Sequence, residues 1–203
     1  MTIRRGQDWG HRGSRPADLF EVADDAAAGA AVTRWRRAGE PLRPIGLRSG
    51  DLCRTLGAGS GGQRLGAEIA EFTVDLGVVE LDGVDHWFVS HLVARRSWWR
   101  GEVVVAMNAQ FLGSWDVAPR GHPNDGRLDV VRAADLPRQE RWKAWRRLPA
   151  GTYLPHPGID VRSVPALELD LRRRLTVRLD GRVVGEADRL ALRVEPDALT
   201  VCV

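Results

Sequence analysis

Hydrophobic positions along the chain change period near residue 62. Before it, a short apolar run, LFEV at residues 19–22, precedes an alanine-rich stretch from Asp25 to Ala38. In that stretch Val32 and Trp35 share one face, Asp24 or Asp25 can cap the start, and Gly39 can stop it, which predicts a helix. PLRPIGL then reads as a strand and GDLCRTLG as one or two helical turns. After residue 62 the period shortens to two. EFTVDLGVVEL, HWFVSHLV, EVVVAMNAQFLG, LDVVRA, ALELDL, LTVRL, LALRV and LTVCV are short apolar or alternating runs separated by turn residues, a pattern that predicts many short strands in a sandwich or distorted barrel.

Two details refine this pattern. LTVRLDGRVVG, residues 175–185, alternates Leu175, Val177 and Leu179 against Thr176 and Arg178 before Asp180-Gly181, the signal of a hairpin closed by a two-residue type I′ turn. DLPRQERWKAWRRL, residues 135–148, predicts one helix among the strands, with Asp135 as cap and Trp142, Trp145 and Leu148 on one face. That spacing favours packing of Trp142 and Trp145 on the sandwich. For Trp98 and Trp99 in RRSWWRG, burial and a membrane-facing role are balanced. The expected fold is α+β: a shortened α/β domain over residues 1–62, then a β-sandwich over 63–203.

Composition changes this picture little. A chain of 203 residues with 43% hydrophobic and 28% charged residues can bury a sizeable core, and no apolar run is long enough to span a bilayer. The N-terminal segment is basic without an apolar stretch behind it, which favours the cytoplasm, with peripheral membrane contact left open. Lys143 is the single lysine; the other basic residues are arginine. Because 30 basic residues oppose 27 acidic ones and no reader motif accompanies them, nucleic acid is not an expected partner. Cys53 and Cys202 match neither a zinc nor a disulfide spacing and read as small buried residues. The glycine-rich run from Gly57 lacks the Lys-Ser or Lys-Thr of a P-loop and reads as a linker.

The segment VVVAMNAQFLGSWDVAPRGHPNDGRLDVV, residues 103–131, is the most specific in the chain. It resembles the C-terminal half of the diacylglycerol kinase catalytic fold, which includes bacterial lipid kinases and sphingosine kinases and is more distantly related to NAD kinases. LPAGTYLPHPGIDVRSVPALELDL, VRLDGRVVG and LRVEPDALTVCV continue in that family's order, and IGLRSGDLCRTLG is similar to its second phosphate loop. The resemblance implies a nucleotide-binding role for the α/β part and, for an active member, ATP and Mg²⁺ as cofactors.

Residue by residue, the implied site is degenerate. Ala23, Asp24, Asp25, Ala26 and Ala27 stand where the family has Gly-Gly-Asp-Gly-Thr, so only Asp25 is kept, and a helix-capping role competes with nucleotide binding there. At the second loop Asp51 is kept and Gly50 stands at the Asn position. Asp25, Gly50 and Asp51 are therefore the candidate nucleotide residues. The loop His122 to Gly126 resembles a divalent-cation loop, implying Asp125 as the side-chain ligand with the carbonyls of His122 and Arg127. The family's Asp-Gly-Glu turn carries its proposed base. Here the turn reads Asp180, Gly181 and Arg182, and a guanidinium cannot accept a proton at physiological pH. No residue is assigned as catalytic, with Glu186 the nearest substitute acid. The resemblance thus implies ATP-dependent phosphorylation of a diacylglycerol-like lipid by descent, with activity impaired or lost. The alternative is a non-catalytic binding or scaffold protein, with a lipid surface or another protein as partner and its oligomeric state open.

Overall fold

The structure is a computed structural model and describes residues 9–58 and 64–203. The first eight residues and most of the glycine-rich run, residues 59–63, lie outside the described residues.

The elements run β1 (His11–Ser14), β2 (Phe20–Val22), α1 (Asp25–Ala38), β3 (Ile45–Leu47), α2 (Asp51–Thr55), β4 (Glu68–Leu81), β5 (Val84–Phe88), β6 (His91–Arg95) and β7 (Val103–Met107). There follow β8 (Phe111–Leu112), β9 (Trp115–Asp116), β10 (Leu128–Ala133), α3 (Arg138–Arg147), a 3₁₀ turn (Leu148–Ala150), β11 (Ile159–Val164), β12 (Ala166–Leu179) and β13 (Arg182–Cys202). A mostly antiparallel sheet ordered β1-β4-β13-β12-β6-β7-β10-β11 carries the fold, with β5 on β4 and the parallel pair β2-β3 joined through β3 to β13. β8 and β9 form a separate hairpin.

Several sequence runs fuse into longer strands than their spacing predicts. ALELDL and LTVRL are one strand, β12, and LALRV and LTVCV belong to one strand, β13. Register shifts between Asp170 and Leu175 and between Glu195 and Leu199 carry the polar interruptions as bulges instead of turns. HWFVSHLV divides the other way, into β5 and β6 with a turn at Val89-Ser90.

The continuous apolar runs are explained by burial on both faces. Val104 and Ala106 of β7 face the central cluster with Leu92, Ala94, Val130 and Val177, while Val103, Val105 and Met107 face a second cluster with Val93, Val131 and Tyr153. Because successive strand residues point to opposite faces, all five residues of β7 are buried. A third cluster packs Val32 and Trp35 of α1 and Leu52 and Cys53 of α2 on Val74, Leu76 and Val201. Both cysteines are buried and free.

α1 follows its sequence signals closely. Asp24 is the cap, accepting from the Ala27 amide at 2.9 Å, and Gly39 ends the helix in the left-handed region at φ 67°. α3 departs from its signals. It begins at Arg138 with Pro137 before it and no side-chain cap, and Asp135 instead accepts from the Gly101 amide. The expectation that Trp142 and Trp145 pack in the core is overturned: they are 49% and 43% exposed, and the helix buries Arg141 and Ala144. The reason is Arg141. Its guanidinium donates to the carbonyls of Leu136, Trp98, Ala134 and Gly101. Docking that side chain turns the tryptophans outward.

Candidate functional site

β2 and β3 are parallel, and their carboxyl ends lead into α1 and α2. In sheets of this kind such ends are where ligands are usually held, and they bring the three candidate nucleotide residues together. Asp25 is buried at the start of α1 and accepts through Oδ2 from the backbone amides of Asp51, at 2.6 Å, and Leu52, at 3.2 Å. It thereby supplies the N-terminus of α2 with the acceptor that the helix itself lacks. Gly50 has φ 122°, and a Cβ there would collide with the Asp25 carboxylate, so glycine is required by that contact. Asp51 takes the Gly113 amide on both oxygens, at 2.9 and 3.0 Å.

The neighbouring hairpin supplies a third acid. Asp180 and Gly181 close β12 and β13 with φ of 48° and 84°, the predicted type I′ turn. The turn directs the Asp180 carboxylate inward, where it accepts from the amides of Val89, Ser90 and His91 at 3.0, 2.9 and 3.0 Å. Gly29 of α1 packs against it, leaving no room for a Cβ. Sequence reading assigned Asp180 only to a turn. A usable signal was its place beside a strand pair already buried on both sides, which directs a short turn side chain into protein.

Burial governs the electrostatics of this cluster. It pushes Asp180 up to about 8, helped by the nearby Asp25 and resisted by the three amides. It pushes Asp25 up to about 7 against the amides of Leu52 and Asp51, with the Asp51 charge adding to the rise and the Ser90 hydroxyl opposing it. His91, with Nδ1 3.1 Å from Ser90 Oγ and 3.6 Å from Asp51 Oδ2, is lowered by burial despite the pull of Asp51. Lowered from its ordinary value, that imidazole is neutral near pH 7.

Beside the cluster lies a cleft of about 400 Å³ between α1 and the β12–β13 turn, with Ala30, Thr33, Arg37, His86 and Arg182 among its lining residues. Arg182 is exposed. Arg37 Nη2 lies 3.5 Å from His86 Nδ1. Asp180 is the one acid in the lining, 5% exposed and with both oxygens on amides. Glu186 lies elsewhere, its carboxylate 3.5 Å from Thr176 Oγ1 across the strand pair.

The candidate cation residues form a different arrangement. Asp125 Oδ1 accepts from the Arg127 amide, and its pKa is raised to about 6, chiefly by burial and then by Asp129 and Asp75. The His122 ring lies tilted against Trp9 and accepts the Asn124 amide through Nδ1, while Arg127 donates its guanidinium to Ser163. The buried Asp75 accepts from the amides of Gly126 and Asp197, at 2.7 and 2.8 Å, and so fastens this loop to β4 and β13. Among the described residues no group of three or more His, Cys, Asp or Glu side chains could hold a metal ion.

Residues 64–203 match the family described as the YegS C-terminal NAD kinase beta sandwich-like domain. The chain belongs to that family. Its fold is also similar to a diacylglycerol kinase from Bacillus anthracis str. Sterne, at 14% identity and a TM-score of 0.63 over 91% of this chain and 75% of the other. A candidate diacylglycerol kinase from the same organism is similar at 12% identity and a TM-score of 0.66, over 91% of this chain and 77% of that one. No curated protein matches the chain in sequence. Its diacylglycerol kinase-like architecture is therefore shown by the family match and by shared fold, and its chemistry has to be argued from its own residues.

Tested against those residues, a nucleotide triphosphate does not fit the first loop. The Ala27 amide that a phosphate would meet at the start of α1 is occupied by the Asp24 carboxylate, and a second acid, Asp25, lies directly behind it. Among the described residues no helix is long and apolar enough to cross a membrane.

Proposed function

We propose that this diacylglycerol kinase-like chain is a binding module that does not transfer phosphate. One observation carries the reading: the acids at the carboxyl ends of β2 and β3 are bonded to the protein's own amides, while position 182 of the cleft presents a guanidinium. Phosphoryl transfer to a hydroxyl needs a group to orient the nucleophile or take its proton, together with donors around the phosphates. Arg182 cannot take a proton. Asp180, raised by burial, is enclosed by three amides, and Glu186 lies beside Thr176 on the strand pair. The Ala27 amide at the start of α1 already has the Asp24 carboxylate as its acceptor.

Thermal unfolding with Mg-ATP, Mg-ADP and Mg²⁺ alone tests this. A ligand at about one hundred times its Kd raises stability by about 2.7 kcal/mol, a readily measured shift. The expected result is no rise specific to nucleotide. A rise with Mg-ATP or Mg-ADP beyond that with Mg²⁺ contradicts the proposal.

A further inference from the structure

The three exposed tryptophans of the chain, Trp99, Trp142 and Trp145, occupy one face, at 42%, 49% and 43% exposure. Arg141 brings them together by tying α3 to the Trp98–Gly101 turn, and the rings of Trp99 and Trp145 lie 6.1 Å apart. A hollow of about 500 Å³ separates Trp99 from Trp142. Exposed aromatic surface of this extent is unfavourable in water unless something covers it.

Cations surround these rings. A groove of about 980 Å³ beside Trp99 is lined by Arg96, Arg100, Arg138, Arg172 and Arg173, all exposed. Among the described residues none of the five guanidiniums has an ion-pair partner. The acids nearby are occupied: Glu102 by Arg132 and the Arg172 amide, Asp135 by Gly101 and Arg141, and Glu140 by Lys143 and His156. On the sheet, by contrast, Arg189 pairs with Glu168 and Arg162 with Asp160. Five guanidiniums without an ion-pair partner thus stand beside the exposed tryptophans.

We infer that this face docks on an anionic lipid bilayer, with Trp99, Trp142 and Trp145 entering the headgroup region and the surrounding arginines meeting lipid phosphates. Indole rings favour that depth because one edge is apolar and the N–H is polar. Guanidinium groups bind phosphate through paired donors, and their attraction to a negative surface weakens with salt. The inference uses no nucleotide and no catalytic group, so it stands or falls apart from the proposed loss of transfer activity.

The test is co-sedimentation of the full chain with vesicles of phosphatidylcholine alone or mixed with phosphatidylserine, without nucleotide, at low and high salt. Binding is expected only with phosphatidylserine and is expected to fall at least tenfold at high salt. Trp99→Ser/Trp142→Ser, and separately Arg96→Gln/Arg100→Gln/Arg173→Gln, should each lower binding at least tenfold with an unchanged circular dichroism spectrum. Trp142→Ser alone, changing one solvent-facing ring, keeps the test valid if a multiple variant fails to fold. Equal binding to both vesicle types, or wild-type binding by the variants, overturns the inference. So does an absence of vesicle binding with self-association in ultracentrifugation that Trp142→Ser abolishes, which would make the face a protein interface.

Discussion

Asp180 and Arg141 are opposites in charge and alike in use. Each is a buried ionisable side chain that gathers backbone groups from a neighbouring turn: Asp180 accepts from three consecutive amides, and Arg141 donates to four carbonyls. What remains outside each anchor differs. Around Asp180 the other acids, Asp25 and Asp51, are also bonded to backbone, so the cluster holds β2, α1, β3 and α2 against the sheet. Around Arg141 the other cations face water beside exposed tryptophans. The first region is bonded within the fold, and the second leaves rings and cations open to the docking inferred for it.

Removing either anchor should break the comparison most severely. Arg141→Ala leaves four carbonyls without their donor and is expected to lower unfolding stability by about 3–5 kcal/mol, read from urea denaturation. Vesicle binding should fall with it, because the turn carrying Trp99 is released. Asp180→Ala, which strands three amides, is expected to cost about 2–4 kcal/mol with vesicle binding unchanged.

The acid cluster also predicts a pH response. Asp25 and Asp180 have folded-state values of about 7 and about 8 against an ordinary 3.8, so the folded protein holds more protons than the unfolded chain between those limits. Stability is therefore fully present below about pH 4 from these two groups and falls as pH rises toward 8, by at most about 1.4 kcal/mol per pH unit for each. Urea midpoints measured from pH 5 to 8 should decline, and Asp180→Asn should make the decline shallower. A flat profile in the wild type would mean that both acids are ionised in the fold.

Smaller effects sharpen the contrast. Asp24→Ala removes the cap of α1 and should cost about 1 kcal/mol in thermal or urea unfolding. Trp142→Ser should change stability by less than about 0.5 kcal/mol, since the ring faces water, while reducing vesicle binding.

Much of this was legible in the sequence where local chemistry decides the outcome. α1 has its cap, inward residues and glycine stop where the residues place them, and the turn at Asp180-Gly181 has the backbone its residue types demand. Asp25, Gly50 and Asp51 do come together, because the two parallel strands end side by side. What was hidden depends on distant partners. The joins within β12 and β13 rest on bulges that only the neighbouring strands reveal. The outward turn of Trp142 and Trp145 rests on carbonyls contributed by residues 98, 101, 134 and 136 to Arg141. A helical periodicity cannot show that an arginine will occupy the buried face.

The central claim is that the acid cluster supports the fold and performs no transfer. Its most direct test is incorporation of radiolabelled γ-phosphate from Mg-ATP into diacylglycerol carried in phosphatidylserine vesicles, for the wild type and for Arg182→Glu. No lipid-dependent incorporation is expected from either protein, because restoring an acid at position 182 leaves the start of α1 closed by Asp24. Labelled lipid above the protein-free background with the wild-type chain would contradict the account.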